Sequence, residues 1–339
     1  MTLPSSALRA ADQIAYLDHA AASDAGRQYK HKLLAALDPR PGNAVLDVGC
    51  GPGTDLPALA NAVGDAGTVF GVDHDPAMVE QARQRTAAFP GVEVQAGDAH
   101  ALPLDDASMD RARADRVLQH LADPARALAE LRRVVRPGGL VALAEPDWDT
   151  LAIADTDTTL SRAYTRYITT SVVRNATIGR QLARLLDDTG FEIDSVDATV
   201  ILFRDYRSAE TILRMPSVAQ RAWQAGALDE QAARAWLARL TNCPFLAAFT
   251  FFTAIGRVPA TGGLVAPGLP SPLQVAVRAG ERVRAGERVR AGERVRAGER
   301  VRAGERVRLG AGSAAGAGVG AAAERDARAL RHRVVRHRL

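Results

Sequence analysis

The fold is decided by one stretch of the chain, Val45-Leu46-Asp47-Val48-Gly49-Cys50-Gly51-Pro52-Gly53-Thr54. Its apolar residues predict a short buried strand, and its glycines predict a turn. Helical spacing of Leu56, Leu59 and Val63 predicts a helix that begins near Thr54, whose hydroxyl can cap it. A strand, a glycine turn and a helix in this order form the ligand-binding corner of a parallel α/β sheet, because ligands dock outside the carboxyl ends of the strands.

The glycines indicate what kind of ligand approaches the turn. Side chains at Gly49, Gly51 and Gly53 would keep a ligand away from the backbone, and the turn requires torsions that most residues resist. A dinucleotide site is typically G-x-G-x-x-G with a pyrophosphate at the helix N-terminus. Here the pattern is D-x-G-x-G-x-G. The acid, Asp47, is a poor neighbour for a pyrophosphate, so a ligand with an amino group and a sulfonium fits better.

Further segments follow in a fixed order. Residues 69–73 read as a second strand that ends in an acid, residues 92–99 contain a third strand, and a fourth strand opens at residues 108–110. Residues 131–141 read as a helix, a turn and a fifth strand. Across roughly residues 10–258 this series resembles the class I S-adenosylmethionine-dependent methyltransferases. It is closest to their ubiquinone/menaquinone-type and natural-product small-molecule branch.

The resemblance implies an α/β fold: a Rossmann-like, seven-stranded, mostly parallel sheet flanked by helices, with helical insertions. It also implies S-adenosylmethionine as cofactor, S-adenosylhomocysteine as product, and no metal. In the family the acid at Asp73 accepts hydrogen bonds from ribose hydroxyls, and the acid at Asp98 reads the adenine amino group. The cofactor-binding residues expected on this basis are Asp47, Gly49, Gly51, Gly53, Asp73, His74, Met78, Gly97, Asp98, Ala99, Asp115 and Arg116.

Methyl transfer from a sulfonium needs a base only when the nucleophile must lose a proton. His120, which follows the fourth strand, is the best candidate, since an unperturbed histidine pKa of about 6.5 suits a base at neutral pH. An equally good interpretation is a histidine that caps or packs its helix. Asp147 and Trp148, after the fifth strand, are expected to hold an acceptor ring, and Tyr16 is expected to contact substrate from the N-terminal helices.

Composition excludes several classes of function. Cys50 and Cys243 are the only cysteines, so the sequence predicts no disulfide framework or metal cluster, and a reducing cytoplasmic setting is expected. From the same sequence we expect no signal peptide and no apolar membrane span. Residues 261–339 hold 17 arginines and 7 acids, so residues 1–260 of a chain with net charge +4 carry −6. An acidic catalytic domain argues against a nucleic-acid substrate.

Three segments are expected along the chain. Residues 1–40 read as two helices that form a lid, residues 41–260 form the methyltransferase domain, and residues 261–339 form a low-complexity basic tail. In the tail, Ala-Gly-Glu-Arg-Val-Arg repeats five times over residues 279–308. Such a tail is expected to be disordered, with an arm that binds RNA or an acidic partner as the alternative. The protein is expected to be a monomer or a homodimer.

This chain lacks the motifs of several other classes of methyltransferase. The site of the Asn/Asp/Ser-Pro-Pro-Tyr motif of amino-methylating DNA enzymes holds residues 114–117, Ala-Asp-Arg-Val. Cytosine C5 enzymes need a Pro-Cys nucleophile, and arsenite methylation needs several thiols. A small organic acceptor remains, with O-methylation in secondary metabolism as the first expectation. The alternatives are C-methylation of a quinone precursor, N-methylation, and binding of S-adenosylmethionine without methyl transfer.

Overall fold

The fold is taken from a computed structural model that describes residues 5–260, with side chains from residue 11 onward. The expectations about the basic tail, its linker and its repeats concern residues 261–339 and lie outside the described residues. Residues 5–260 belong to one compact unit.

The sheet has seven strands in the order β3-β2-β1-β4-β5-β7-β6. They are β1 (Ala44–Val48), β2 (Thr68–Asp73), β3 (Val92–Ala96), β4 (Met109–Asp115), β5 (Val135–Ile153), β6 (Glu192–Phe203) and β7 (Ala247–Arg257). The first five strands pair in parallel, and β7 runs antiparallel to both of its neighbours. The predicted seven-stranded, mostly parallel sheet is therefore confirmed.

Ten helices flank this sheet within residues 5–260. They are α1 (Ser5–Ala22), α2 (Asp24–Leu37), α3 (Leu56–Val63), α4 (Pro76–Thr86), α5 (Pro124–Val134), α6 (Thr158–Tyr167), α7 (Ile178–Asp188), α8 (Tyr206–Leu213), α9 (Met215–Gln224) and α10 (Glu230–Asn242). The segment between β6 and β7, which is rich in alanine and arginine, forms three separate helices, α8 to α10. Arg214, with φ 51°, ends α8, and Gly226, with φ 72°, follows α9.

The core lies on both faces of the sheet. Along β1 the side chains alternate between faces, so Val45 packs in one cluster with Leu33 and Leu59, whereas Leu46 packs in the other with Leu128. Helices that cover both faces of parallel strands explain why these strands read as continuous apolar runs. This packing fixes the carboxyl ends of the parallel strands along one edge.

The helix after the glycine turn begins later than expected. It starts at Leu56, and its N-cap residue Asp55 makes no side-chain cap. The prediction that Thr54 caps this helix is wrong, because its hydroxyl is engaged elsewhere: it donates to Asp18 at 3.2 Å and accepts from Arg85 at 2.9 Å. Arg85 also donates to both carboxylate oxygens of Asp18 at 2.9 Å. This contact, the Asp18 clasp, fastens α1 to α4 and to the glycine turn.

Candidate functional site

A cavity of about 660 Å³ opens at the carboxyl ends of the parallel strands. Its lining residues fall into two groups. One, the glycine half, comes from the strand ends and turns and comprises Asp47, Gly49, Gly51, Asp73, His74, Met78, Asp115 and Arg116. The other, the apolar half, comes from β5–β7, the segment after α6, and α8–α9, and comprises Trp148, Ile168, Val172, Ile201, Phe203, Ile212, Leu213, Val218 and Phe249. Tyr16 of α1 and His120 also line the cavity.

Two glycines leave the backbone of the glycine half accessible to a ligand. Gly49 has φ 65°, and a Cβ built on it would lie 2.4 Å from Cγ2 of Val117. Gly51 has φ 54°, and its Cβ would meet only the Leu17 side chain, at 3.5 Å. Gly53 does not line the cavity. Its Cβ would lie 2.9 Å from Ala82, so this glycine permits the close packing of the turn on α4.

Asp73 ties the end of β2 to the glycine turn. One carboxylate oxygen accepts the Gly51 N–H at 2.9 Å, and the other accepts the Asp75 N–H at 2.9 Å. Each oxygen keeps a further lone pair, because a carboxylate offers about four acceptor positions. The buried Asp73 can therefore accept hydrogen bonds from hydroxyl groups of a ligand in the cavity.

The third-strand residues lie apart from this group. Gly97, Asp98 and Ala99 do not line the cavity. The exposed Asp98 carboxylate accepts the His100 N–H at 2.9 Å and lies 2.6 Å from His100 Nδ1. A Cβ on Gly97 would lie 2.8 Å from Cγ1 of Val72. In this structure Gly97 serves packing and Asp98 makes a surface contact, and the cofactor contacts expected of these residues stay a prediction.

A buried ion cluster forms the floor of the glycine half. Arg113 of β4 lies 3.2 Å from Asp47, 2.7 Å from Asp55 and 3.0 Å from Asp115. Lys30 of α2 contacts Asp55 and lies 2.7 Å from Asp115. Sequence reasoning missed Lys30, Asp55 and Arg113. The signal was the presence of ionisable residues in β4, a central strand that is otherwise buried.

The carboxyl groups of this cluster differ in acidity. Burial raises the pKa of Asp47 to about 6, although Arg113 opposes the shift. Burial also disfavours ionised Asp55 and Asp115, but Lys30 and Arg113 outweigh it and lower both pKa values. The cluster therefore holds two firmly ionised carboxylates and one that titrates nearer to neutrality.

One buried donor of the cavity, Nε of Arg116, has no hydrogen-bond partner within residues 5–260 and lies 3.8 Å from Asp115. Nε of Arg113 is already compensated, since it lies 3.2 Å from Asp47. Arg116 also has φ 59°, a left-handed conformation that is uncommon for a residue with a side chain and is concentrated at functional sites. This guanidinium donor suits a ligand carboxylate, and the neighbouring Asp47 and Asp115 suit a ligand ammonium. The donor set therefore fits the amino-acid end of S-adenosylmethionine.

His120 ends a short 3₁₀ turn, Leu118–His120. Below the turn, the fully buried Glu145 accepts the Leu118 N–H at 2.6 Å. From the side, the Asn175 amide donates to the carbonyls of Leu118 and Leu121 at 2.8 Å. Burial, Arg116 and His74 lower the pKa of His120, so its ring is neutral at neutral pH. The turn presents a neutral imidazole to the cavity.

The two residues predicted after the fifth strand have different positions. Trp148 lines the apolar half, donates its indole N–H to Gln119 at 2.9 Å, and stacks on Phe249 with ring centroids 4.9 Å apart. Asp147 is fully buried, does not line the cavity, and pairs with Arg180 through both carboxylate oxygens. The expectation that Asp147 holds an acceptor ring is corrected, because side chains alternate along β5 and its carboxylate points to the other face.

Within residues 5–260 no group of three or more His, Cys, Asp or Glu side chains is arranged to hold a metal ion. None of the helices described is both long enough and apolar enough to cross a bilayer.

Comparisons with known proteins agree with this geometry. A family model described as a methyltransferase domain matches residues 46–143. An uncharacterised 37.1 kDa protein of transposon Tn4556 from Streptomyces fradiae is 52% identical over 246 residues, which are 73% of this chain and 71% of that protein. Demethylmenaquinone methyltransferase from Staphylococcus aureus is 35% identical over 125 residues, which are 37% of this chain and 52% of the enzyme.

Among solved structures, a Bacillus halodurans protein assigned to the methyltransferases has the same fold. It superposes with a TM-score of 0.50 at 17% identity, over 68% of this chain and 98% of that protein. The fold, the family match and the Streptomyces relative lead to one conclusion. The chain belongs to the same family as the Streptomyces fradiae transposon protein, and it contains a methyltransferase domain with the Rossmann-like methyltransferase fold.

Proposed function

We propose that this enzyme transfers a methyl group to a hydroxyl oxygen of a small, apolar, ring-bearing acceptor, as in secondary metabolism. The observation that carries the proposal is a neutral imidazole, His120, which lines the cavity that joins the glycine half to the apolar half. A phenol-like hydroxyl needs such a base, because its oxygen attacks well only after losing its proton.

The glycine half would hold the cofactor. S-adenosylmethionine supplies an electrophilic methyl group on a sulfonium sulfur. Asp73 would accept hydrogen bonds from its ribose hydroxyls. Asp47 and Asp115 of the ion cluster, together with the neighbouring Arg116, would bind its amino-acid end. His74 and Met78 line the cavity beside Asp73 and would border the adenine. Because the donor is already activated, the protein mainly orients two reactants and excludes water.

The apolar half would hold the acceptor. Trp148 offers a flat ring surface that is fixed by its hydrogen bond to Gln119 and its stacking on Phe249. His120 would take the hydroxyl proton while the acceptor oxygen forms its bond to the methyl carbon. Tyr16 would close this region from α1.

We also propose that only α1 acts as a lid. The ring of Tyr29 in α2 packs against Phe251, its hydroxyl lies 3.2 Å from Asp115, and Lys30 is held in the ion cluster. Helix α2 is therefore a fixed wall. Helix α1 is fastened by the half-exposed Asp18 clasp, which can open at little cost.

Turnover of a hydroxylated probe tests the function. We would incubate the enzyme with S-adenosylmethionine and naphthols, and measure methylated product and S-adenosylhomocysteine together. We expect equal amounts of both, and a loss of about 100-fold in kcat for His120→Ala. His31→Ala, an exposed histidine of α2 outside the cavity, is the control. Undiminished turnover of His120→Ala would remove the base from the proposal.

C-methylation of a quinone precursor is the second candidate. It is favoured by the similarity to the Staphylococcus aureus demethylmenaquinone methyltransferase, which spans about half of that enzyme. A quinol also needs deprotonation, so His120 would serve either reaction. Transfer of a ¹³C-labelled methyl group distinguishes the two, because carbon NMR separates a methyl on oxygen from a methyl on a ring carbon. Binding without methyl transfer would yield no S-adenosylhomocysteine.

A further inference from the structure

We infer that the apolar half takes an acceptor that carries an acidic group, and that Arg214 and Arg221 bind this group. The inference deepens the proposed function and rests on it in assigning the apolar half to the acceptor. It concerns a binding subsite, so it can be tested without turnover.

The first observation is the geometry of α9. Arg214 stands at the N-cap of this helix, and Val218 and Arg221 follow four and seven positions later. Residues at this spacing share one face of a helix. All three line the cavity, so α9 presents a cation, an apolar residue and a second cation along its wall.

The second observation is that neither guanidinium is paired. No carboxylate lies within 4 Å of Arg214 or Arg221 among the side chains described. By contrast, Arg239 of α10 is held by Asp155 at 2.7 Å. Two uncompensated cations in a cleft concentrate anions there, because low-dielectric walls focus their field.

Two acids are candidates to compete with a ligand. Burial raises the pKa of Glu210 and Arg214 opposes the shift, but the Glu210 carboxylate accepts the Met215 N–H at 2.8 Å and forms no ion pair with either arginine. Asp12 of α1 lines the same cavity and likewise forms no ion pair within the described side chains. Both arginines therefore keep donors for a ligand.

The third observation is that the two arginines line the cavity together with apolar side chains. Ile201 and Phe203 of β6, Ile212 and Leu213 of α8, and Phe249 of β7 line the cavity with them. An acceptor with an apolar ring system and one carboxylate, sulfonate or phosphate matches both features. Charge-assisted hydrogen bonds to guanidinium are among the stronger polar contacts, and they discriminate against the uncharged analogue.

Two dyes with the same ring system test this inference. 8-Anilinonaphthalene-1-sulfonate carries a sulfonate, and N-phenyl-1-naphthylamine does not. Both would be titrated by fluorescence into the full-length protein and into the double variant Arg214→Gln/Arg221→Gln. We expect the double variant to weaken sulfonate-dye binding about tenfold or more, and to leave the neutral dye within about twofold.

Matched variants locate the effect. Arg207→Gln removes an exposed arginine of α8 that does not line the cavity, and should change neither titration. Asp12→Asn removes a negative charge from the cavity and should strengthen sulfonate-dye binding. Val218→Trp narrows the apolar half and should weaken both dyes. Equal losses for the two dyes in the double variant, or no loss, would overturn the inference. Selective loss with no methyl transfer to any acceptor would leave the subsite standing and refute the proposed function.

Discussion

The two halves of the cavity are built in opposite ways. The glycine half is polar, and its residues come from strand ends and turns between Asp47 and Arg116. The apolar half comes from six elements spread between Trp148 and Phe249, with no shared local pattern. The glycine half depends on what a backbone can adopt, whereas the apolar half depends on which side chains packing brings together. Backbone conformation is encoded in consecutive residues, whereas the packing of distant side chains is not.

The ion cluster of the glycine half has no counterpart in the apolar half. Arg113 contacts three carboxylates, whereas the two arginines of the apolar half contact none of the described acids. Buried charges in the glycine half are compensated before a ligand arrives, and the exposed cations of the apolar half are left for one. Substitutions in the first region should therefore affect stability, and substitutions in the second should affect selectivity.

The largest expected effect comes from Arg113→Met. Removing the cation leaves Asp47, Asp55 and Asp115 with only Lys30 and Arg116 nearby, and breaking such a buried pair typically costs about 3–5 kcal/mol. Urea unfolding would measure the loss. Arg184→Met is the control, because its pair with Asp188 is exposed and should contribute about 0.5 kcal/mol or less. Similar losses for both variants would contradict the role of the cluster.

The next effect is on cofactor binding. In Gly49→Ala the new methyl group would lie 2.4 Å from Val117, in a residue with φ 65°, so the turn must move. We expect S-adenosylmethionine affinity to fall about 100-fold, roughly 2.7 kcal/mol, while neutral-dye binding in the apolar half is kept. Calorimetric titration measures the first quantity.

A matched control separates strain from contact. Gly138 has φ 79°, and a Cβ on it would meet nothing within 4 Å. Gly138→Ala therefore carries the same backbone strain, about 1–2 kcal/mol of stability, without touching the cavity. If it lowered cofactor affinity as much as Gly49→Ala, strain alone would account for the effect.

A pH-dependent effect is expected beneath the turn that carries His120. Burial raises the pKa of Glu145 from 4.5 to about 8. Since the folded-state pKa is the higher one, the contribution of this group to stability is complete below about pH 4.5 and is lost as the pH rises through about 8. The free energy of unfolding should fall over that range, and less so in Glu145→Gln, which cannot ionise.

Unfolding by urea at pH 6 and pH 9 measures this difference. Glu130→Gln is the control, because hydrogen bonding to Arg133 lowers the pKa of Glu130, so this carboxyl group is ionised at both pH values and contributes no difference between them. A parallel pH dependence in wild type and Glu145→Gln would show that Glu145 is not the group responsible.

The smallest effect is expected at the Asp18 clasp. Asp18→Ala removes the partner of Arg85, and a half-exposed pair contributes about 1 kcal/mol at most. We expect cofactor dissociation in stopped flow to accelerate about two- to fivefold with stability nearly unchanged. Asp24→Ala, at the exposed pair with Arg27, is the control. An unchanged dissociation rate would mean that α1 does not gate the cavity.

The sequence predicted what backbone constraints encode. The seven-stranded, mostly parallel sheet was predicted correctly because short apolar strands and a glycine turn with positive φ follow one another at fixed spacing. Thr54 was misassigned because its partners, Asp18 and Arg85, lie 36 and 31 residues away. Lys30 and Arg113 were missed for a similar reason: an ion pair between α2 and β4 leaves no local periodicity.

The acceptor side was harder to predict. Trp148 and Asp147 are neighbours on one strand, yet one lines the cavity and the other is buried against Arg180. Pleating separates adjacent residues to opposite faces, but the sequence does not state which face meets a ligand. The cationic face of α9 could not be predicted from the sequence, because residues 208–240 read as helical throughout and only the structure shows that a helix ends at Arg214.

The central claim is that S-adenosylmethionine binds in the glycine half, at Asp73. It is tested most directly by calorimetric titration of S-adenosylmethionine into the wild type, Asp73→Asn and Asp65→Asn. Asp73 lines the cavity, and the exposed Asp65 lies outside it. We predict binding by the wild type and by Asp65→Asn with equal affinity, and a loss of about tenfold or more for Asp73→Asn. No binding by the wild type, or an equal loss in both variants, would contradict the account.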